Sequence, residues 1–398
     1  MGISFKEIVN NHISYDNITR GKGWFSLRDV LSYNRFLNVI TAQRTAGKST
    51  AGALYFIMEY IRTGKGWVYS RRTDDETGLT ADTWFDNACT ILNREVKKWC
   101  EENDVDPSGK ECHIAYKAGH YYYYEGPFEE KDEEGNDVKR KDIYDIECGR
   151  AIPLSLQWKH KGGNFSKYDF LIYDEFVAFG GFSYLGGTTD ELCEYRSLMS
   201  LFQTMDRDVD RPYRNEVKIF CFGNNDSYNN PIYKGMGAEP FLRTDARWIA
   251  PKDKIWVIHQ IPPGEISKLK DYKESNAYKL ADEYTKKYAF ENQNKENGDA
   301  AFVKKLKVSM APVFNGIFDG YKMCVYQYAR GFYVQPGING AVHTFALTHS
   351  DHKPDVTLPT GMYGFPLQQF KKAYSDCMVT FENKKCKNCW ESYFKFIK

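Results

Sequence analysis

Along the first 245 residues, hydrophobic and polar positions alternate in blocks that predict strands and helices in turn. "FLNVIT", 36–41, is an apolar run of strand length. Residues 49–62 then place Leu54, Ile57, Met58 and Ile61 at helical spacing, which predicts a helix with one buried face. "TGKG" ends it, and "WVYSRR" reads as the next strand. A second helical pattern covers 80–101, with Thr80 or Asp82 as its cap. "CHIAYKAGHYYYYEG" reads as a hairpin whose tyrosines cover a sheet, and the charged insert 129–142 that follows it as a solvated hairpin tip. "AIPLSLQWK" and "DFLIYDEF" follow as strands, 190–205 as a helix and "EVKIFCFGNN" as another buried strand. This alternation predicts a mostly parallel sheet with helices on both faces.

Farther on, 264–299 is charged and helical in pattern, a connecting segment. "KMCVYQYARGFYVQP" and "AVHTFALTH" read as paired strands, and 366–377 as a helix. The expected organisation is an α/β domain over 1–245, a linker over 246–300 and a smaller α+β domain over 301–398. No internal repeat is visible.

Composition adjusts this picture only in places. The 398 residues are 42% hydrophobic and 27% charged, enough for two cores. A net charge of +1 argues against a polybasic protein but leaves room for a local basic track facing nucleic acid. The start lacks a secretory pattern and no apolar run reaches membrane length, so no membrane association is expected. Gly2 is not followed by the Ser or Thr at position 6 that myristoylation requires; Lys6 stands there. Ten scattered cysteines read as reduced intracellular thiols. Cys386 and Cys389 in "CKNC", with Cys377 as a third, are too few ligands for a metal site and read as ordinary thiols.

The chemistry concentrates in "NVITAQRTAGKSTAGALYF", 38–56. A phosphate-binding loop needs Gly-x-x-x-x-Gly-Lys-Ser/Thr between a strand and a helix, because main-chain N–H groups must curl around phosphates at a helix N-terminus. Gly47, Lys48 and Ser49 fit, while Ala42 replaces the first glycine. Arg44, Thr45, Ala46, Gly47 and Thr50 would line the phosphates, Lys48 would reach the β- and γ-phosphates, and Ser49 would hold Mg²⁺. "DFLIYDEF" then supplies four bulky residues and two acids. Asp174 falls at the carboxyl end of a strand, where ligands sit in open α/β sheets, and would hold the metal. Glu175 is placed to polarise water for attack on the γ-phosphate. Together these motifs point to ATP binding and hydrolysis with Mg²⁺.

A polar residue ending the third buried strand could sense the γ-phosphate, and Asn224 and Asn225 are the candidates; an Asx turn explains them as well. Transition-state charge also needs arginines. Arg44 lies in the loop, Arg71 and Arg72 just past the second strand, and Arg207, Arg211 and Arg214 in a charged turn. One donated by a neighbouring subunit would make a ring motor; surface solvation explains Arg207 equally well, and Arg211 and Arg214 better.

The order of these motifs resembles the DNA-packaging ATPases of small, short-tailed phages with protein-primed linear genomes, ring motors related to the large terminase subunits. "LSYNRFLNVITAQRTAGKS", "VYSRR", "IPLSLQWK", "FLIYDEF", the Asn-containing strand end and "FNGIFDGYKMCVY" carry the resemblance. The Tyr-rich region, the acidic insert and Ala42 depart from it. The resemblance implies a P-loop NTPase of the additional-strand, catalytic-glutamate type, joined to a smaller RNase H-like C-terminal domain. It implies Lys48 and Ser49 as phosphate and Mg²⁺ ligands, Asp174 as the Walker B acid and Glu175 as the catalytic glutamate. Asn224 or Asn225 would couple hydrolysis to motion, and Arg207 fits the trans-acting finger best, with Arg211 and Arg214 left open.

The implied partners are double-stranded DNA, the phage portal, a ring of like subunits (a pentamer) and a scaffold RNA. The implied location is the host cytoplasm, transiently on the procapsid and not in the virion. Asp319, Asp351 and Asp355 are too scattered for the two-metal nuclease of larger terminases. Lys304, Lys305, Lys307, Lys322 and Arg330 are candidates for gripping DNA phosphates or docking on the portal. A P-loop helicase or another nucleic-acid-dependent ATPase is the competing expectation, and a binding protein with a dead P-loop a third.

Overall fold

The computed structural model describes residues 3–42, 46–127, 129–131, 137–140, 142–177, 184–186, 190, 192–207, 214–224, 230–243, 246–261, 276–280, 305–308, 311–328, 331–341, 343–359, 365–375 and 378–396. The chain divides into two compact units, 1–225 with 250–292, and 226–249 with 293–398. Each unit therefore draws on two stretches of chain, unlike the contiguous division expected near residue 245.

The first unit opens with three short helices, α1 (Phe5–His12), α2 (Tyr15–Gly21) and α3 (Leu27–Leu31). Each begins at a serine whose hydroxyl accepts a main-chain N–H, and α1 closes a full capping box between Ser4 and Glu7. Then follow β1 (Leu37–Ala42), α4 (Lys48–Thr63), β2 (Gly66–Ser70), α5 (Asp74–Ala81), α6 (Asp86–Glu102), β3 (Cys112–Lys117) and β4 (His120–Glu125). The acidic insert forms a two-stranded hairpin, β5 (Glu129–Lys131) with β6 (Asp137–Lys139). Next come β7 (Glu147–Ala151), β8 (Tyr168–Asp174), α7 (Cys193–Met205), β9 (Lys218–Asn224) and a strand at Trp256–Gln260.

Across the sheet the order is Trp256–Gln260, β1, β9, β8, β2, β7, β4, β3. Pairing is parallel from the first of these through β7 and antiparallel at β4 and β3. The fold is thus mixed α/β with an additional strand, β9, between β1 and β8. β1 and β2 are buried at every position, as expected of strands covered on both faces.

The helix on β1 is held close to the sheet. Phe56 of α4 is buried among Phe170, Phe220 and Phe222. Gly52 permits the approach, since a Cβ there would lie 2.7 Å from the Phe222 ring. Leu54, Ile57 and Ile61 are buried with it and Met58 is half-buried.

Two expected elements differ. The helical pattern at 80–101 resolves into α5 and α6, and the cap is Thr73, whose hydroxyl accepts from Glu76 N–H. Asp82 ends α5 instead, and Thr80 bonds back to the Glu76 carbonyl. "AIPLSLQWK" is not a strand: pairing stops at Ala151, and a 3₁₀ helix, Leu154–His160, begins after Pro153, which has no N–H for a ladder. Of the expected connecting helix, Asn276–Leu280 is helical; the rest of 264–299 lies outside the described residues.

In the second unit, Phe314–Phe318, Tyr321–Tyr328 and Gly331–Pro336 form an antiparallel meander. Thr344–Ala346 adds in parallel beside the first strand and Val379–Phe381 in parallel beside the third. Helices Phe365–Ser375 and Lys384–Phe396 accompany this sheet; Phe314, Val325, Phe332, Phe370 and Trp390 are central in its core. Cys386 and Cys389 belong to the same core. Burial pushes both thiols up, Cys389 to about 12, the behaviour of structural cysteines; Cys377 lies outside the described residues. Among the described residues no helix is long and apolar enough to cross a membrane.

Candidate active site

The carboxyl edge of the first unit's parallel strands gathers the candidate residues. Gly47 stands at φ 73° and caps α4, a conformation that disfavours any residue with a Cβ. The turn aims the start of α4 into a cavity of about 420 Å³ lined by Trp24, Ala46, Gly47, Lys48, Ser49, Thr50, Glu175 and Asn224. That volume lies in the range of small-ligand pockets. Ala42 is the buried last residue of β1 and is not among the described residues with positive φ. An alanine therefore fits where the usual motif has glycine.

The Lys48 amine donates to the Ala42 carbonyl at 3.2 Å and to Asn224 Oδ1 at 3.0 Å. Asn224 Nδ2 in turn donates to Glu175 Oε2 at 3.5 Å. The register explains the relay: Ala42 of β1 stands opposite Asn224 of β9, and β9 is flanked on its other side by β8, which ends at Asp174. Glu175 follows at φ 55°, a left-handed turn that takes it out of the strand. Gly223 leaves room behind it; a Cβ there would lie 2.6 Å from the Phe176 ring.

Ser49 Oγ donates to Asp174 Oδ1 at 3.5 Å. A hydroxyl and a carboxylate side by side suit Mg²⁺, a hard cation that keeps waters and shares substrate phosphates. Among the described residues no group of three or more His, Cys, Asp and Glu could hold a metal alone, a cluster that a nucleotide-borne Mg²⁺ does not need. Arg71 Nη2 pairs with the other Asp174 oxygen at 2.7 Å, and Arg71 Nε donates to the Tyr69 hydroxyl at 3.0 Å. Burial opposes the Arg71 charge, but Asp174 and Tyr69 outweigh it and raise its pKa.

Other candidates sit elsewhere. Arg72 does not join the pocket lining: it is buried against Glu194 of α7 at 2.8 Å. Arg214 is also buried, donating to the carbonyls of Ser166, Tyr168 and Met205 and to Asp169. That guanidinium ties the end of α7 to the start of β8. Arg207 is exposed just past α7. Arg44, Thr45, Arg211 and Asn225 lie outside the described residues.

In the second unit Asp351 accepts from the N–H groups of Asp319 and Gly320 at 2.7 and 2.8 Å, so it clips a turn. Lys305, Lys307 and Lys322 are exposed; Lys304 and Arg330 lie outside the described residues.

Sequence reasoning missed Trp24. Tyr15 donates to the Ala51 carbonyl and accepts from Leu27 N–H, both at 3.1 Å. These bonds tie the segment between α2 and α3 to the first turns of α4. Trp24 consequently lies over Gly47, where a Cβ would approach its indole to 2.6 Å. An aromatic between two short helices carries no sequence signal of that closure.

Residues 22–118 match the family described as Podovirus DNA encapsidation protein (Gp16). The DNA packaging proteins of Bacillus phages PZA and phi29 are each 21% identical over 378 residues, covering 94% of this chain and 97% of theirs. A chain of the bacteriophage Phi-29 viral genome packaging motor assembly shares the fold with a TM-score of 0.55 and 18% identity, over 94% of this chain and 99% of that one.

Proposed function

We propose that this chain, which is similar to the DNA packaging proteins of Bacillus phages PZA and phi29, is a terminase-like packaging ATPase that hydrolyses ATP to drive double-stranded viral DNA into a procapsid. The observation that carries the reading is that Lys48, Asn224 and Glu175 share one pocket at the head of α4.

In this reading the main-chain amides at the start of α4 and the Lys48 amine hold the triphosphate. Glu175 orients and deprotonates the attacking water, and Asn224 links the phosphate-side lysine to that acid. Ser49 and Asp174 hold Mg²⁺, which supplies charge neutralisation on the phosphate oxygens when bound. Trp24 forms the pocket's aromatic wall. Catalysis is positioning plus charge stabilisation. Glu175 just past the end of β8, with β9 between β1 and β8, supports the additional-strand, catalytic-glutamate assignment.

The subunits form a pentameric ring docked on the portal in the host cytoplasm, with a structural RNA as scaffold. Arg207 reaches a neighbour's nucleotide. The second unit is an RNase H-like domain without nuclease activity; its meander and the parallel strand beside the first support the fold, while Val379–Phe381 joins the edge beside the third strand. Grip on DNA falls on phosphates, since a motor must ignore sequence, and exposed Lys305, Lys307 and Lys322 are candidates for it.

The test is ATP turnover by purified protein, alone, with duplex DNA and with portal particles. Stimulation by both supports the reading. Strand separation coupled to turnover replaces it with a helicase, and absence of nucleotide binding replaces it with a dead P-loop.

A further inference from the structure

Resting on the assignment of Glu175 as the acid that readies water, we infer that Arg72 and Glu194 are a buried positioning pair that holds the Glu175 main chain in its working conformation. Glu175 needs such a hold. At φ 55° it occupies a left-handed setting that strains a residue with a Cβ. Relaxation to extended backbone would return it to the line of β8 and away from Asn224.

Two main-chain contacts oppose that relaxation. Phe176 N–H donates to the Phe222 carbonyl at 3.2 Å. On the other side of the peptide, Arg72 Nη2 donates to the Glu175 carbonyl at 3.1 Å.

Arg72 is itself fixed on every side. Its Nε donates to Glu194 Oε2 at 2.8 Å, its Nη1 to Glu76 at 3.3 Å, and its guanidinium lies 5.4 Å from the centre of the Tyr184 ring. Glu194 is fully buried and accepts from the Tyr173 hydroxyl and from Leu185 N–H. Buried ion pairs of this kind contribute little net stability compared with apolar packing. What a planar fork does supply is direction, three donors pointed at three fixed acceptors. One of those acceptors is the carbonyl of the acid at the pocket, which places the pair's role in geometry.

Arg72→Lys separates geometry from charge, because lysine keeps the buried counter-charge to Glu194 but cannot also reach the Glu175 carbonyl and Glu76. The expected result is a kcat for ATP lowered about tenfold with KM within about twofold and the thermal midpoint nearly unchanged. In a Glu175→Gln background, where the positioned carboxylate is absent, Arg72→Lys should leave the residual single-turnover rate unaltered. Glu194→Gln, which keeps the side chain's shape, gives the same readouts if the lysine variant does not fold.

Undiminished kcat in Arg72→Lys, or an equal loss in both backgrounds, overturns the inference while leaving the ATPase reading intact. A wild-type chain that turns over no ATP overturns both.

Discussion

The amine of Lys48 and the side-chain oxygen of Asn224 lie 3.0 Å apart, joining the loop before α4 to the end of β9. Asn224 passes the connection on to Glu175 at 3.5 Å. The cation that would meet the triphosphate and the acid that would ready water are thus two hydrogen bonds apart. Lys48 is nearly buried, so its removal deletes a charge-assisted contact from a confined site. Lys48→Ala should weaken ATP binding by about 10- to 100-fold, the equivalent of about 1.5–3 kcal/mol, while the fold survives. Calorimetric titration with ATP and Mg²⁺ checks this; wild-type affinity would contradict it.

Gly47 meets two demands at once. Its φ of 73° and the indole of Trp24, 2.6 Å from where a Cβ would stand, both resist a side chain. Gly47→Ala should therefore lower the thermal midpoint. Adding Trp24→Ala should relieve the clash but not the φ cost of about 1–2 kcal/mol, so the double variant should lose less than the sum of the singles. Strict additivity in melting experiments would show that the two residues do not touch.

Arg207 is exposed beyond α7, whereas Arg214 is buried in main-chain contacts. Arg207→Ala should abolish DNA-stimulated hydrolysis with little change in stability. Mixing it with Glu175→Gln subunits should restore part of the rate if the arginine acts on a neighbour's nucleotide. Arg214→Ala should instead lower the melting temperature. Absence of any rescue in the mixture counts against action in trans.

Glu147 ties the sheet to its flank through the Tyr168 hydroxyl, Arg150 Nε at 3.0 Å and Lys167 at 3.3 Å. Burial alone would raise its pKa, but hydrogen bonds from Tyr168 and Arg150 outweigh burial and lower it from 4.5 to about 2. A carboxylate depressed in the folded state stabilises fully above its unfolded pKa. That contribution fades as pH falls from about 4.5 toward 2. The melting difference between wild type and Glu147→Gln should shrink as pH falls from about 4.5 to about 3. A difference that grows on acidification would reverse the sign and refute the argument.

Much of the site was legible because its signals are local. β1, α4 and β8 announce themselves as buried runs and helical spacing, and Gly47-Lys48-Ser49 and Asp174-Glu175 fall at their ends. What was not legible depends on tertiary closure. Trp24 reaches Gly47 only because Tyr15 fastens the N-terminal helices to Ala51. Arg71 and Arg72 are neighbours in sequence, yet one pairs with Asp174 and the other with Glu194; alternation past the end of β2 was the available hint. Glu194 looked like any polar residue of an amphipathic helix, and Arg214 like part of a solvated charged turn, until the fold supplied buried partners. The 80–101 pattern reads as one helix because helical periodicity says little about a break between α5 and α6.

The central claim, that Glu175 readies water beside a nucleotide held by Lys48, is tested most directly by pairing ATP binding with DNA-stimulated turnover in Glu175→Gln. The account predicts binding of ATP and Mg²⁺ within a few-fold of wild type and turnover lower by about 10²-fold or more. Turnover at the wild-type rate would contradict it.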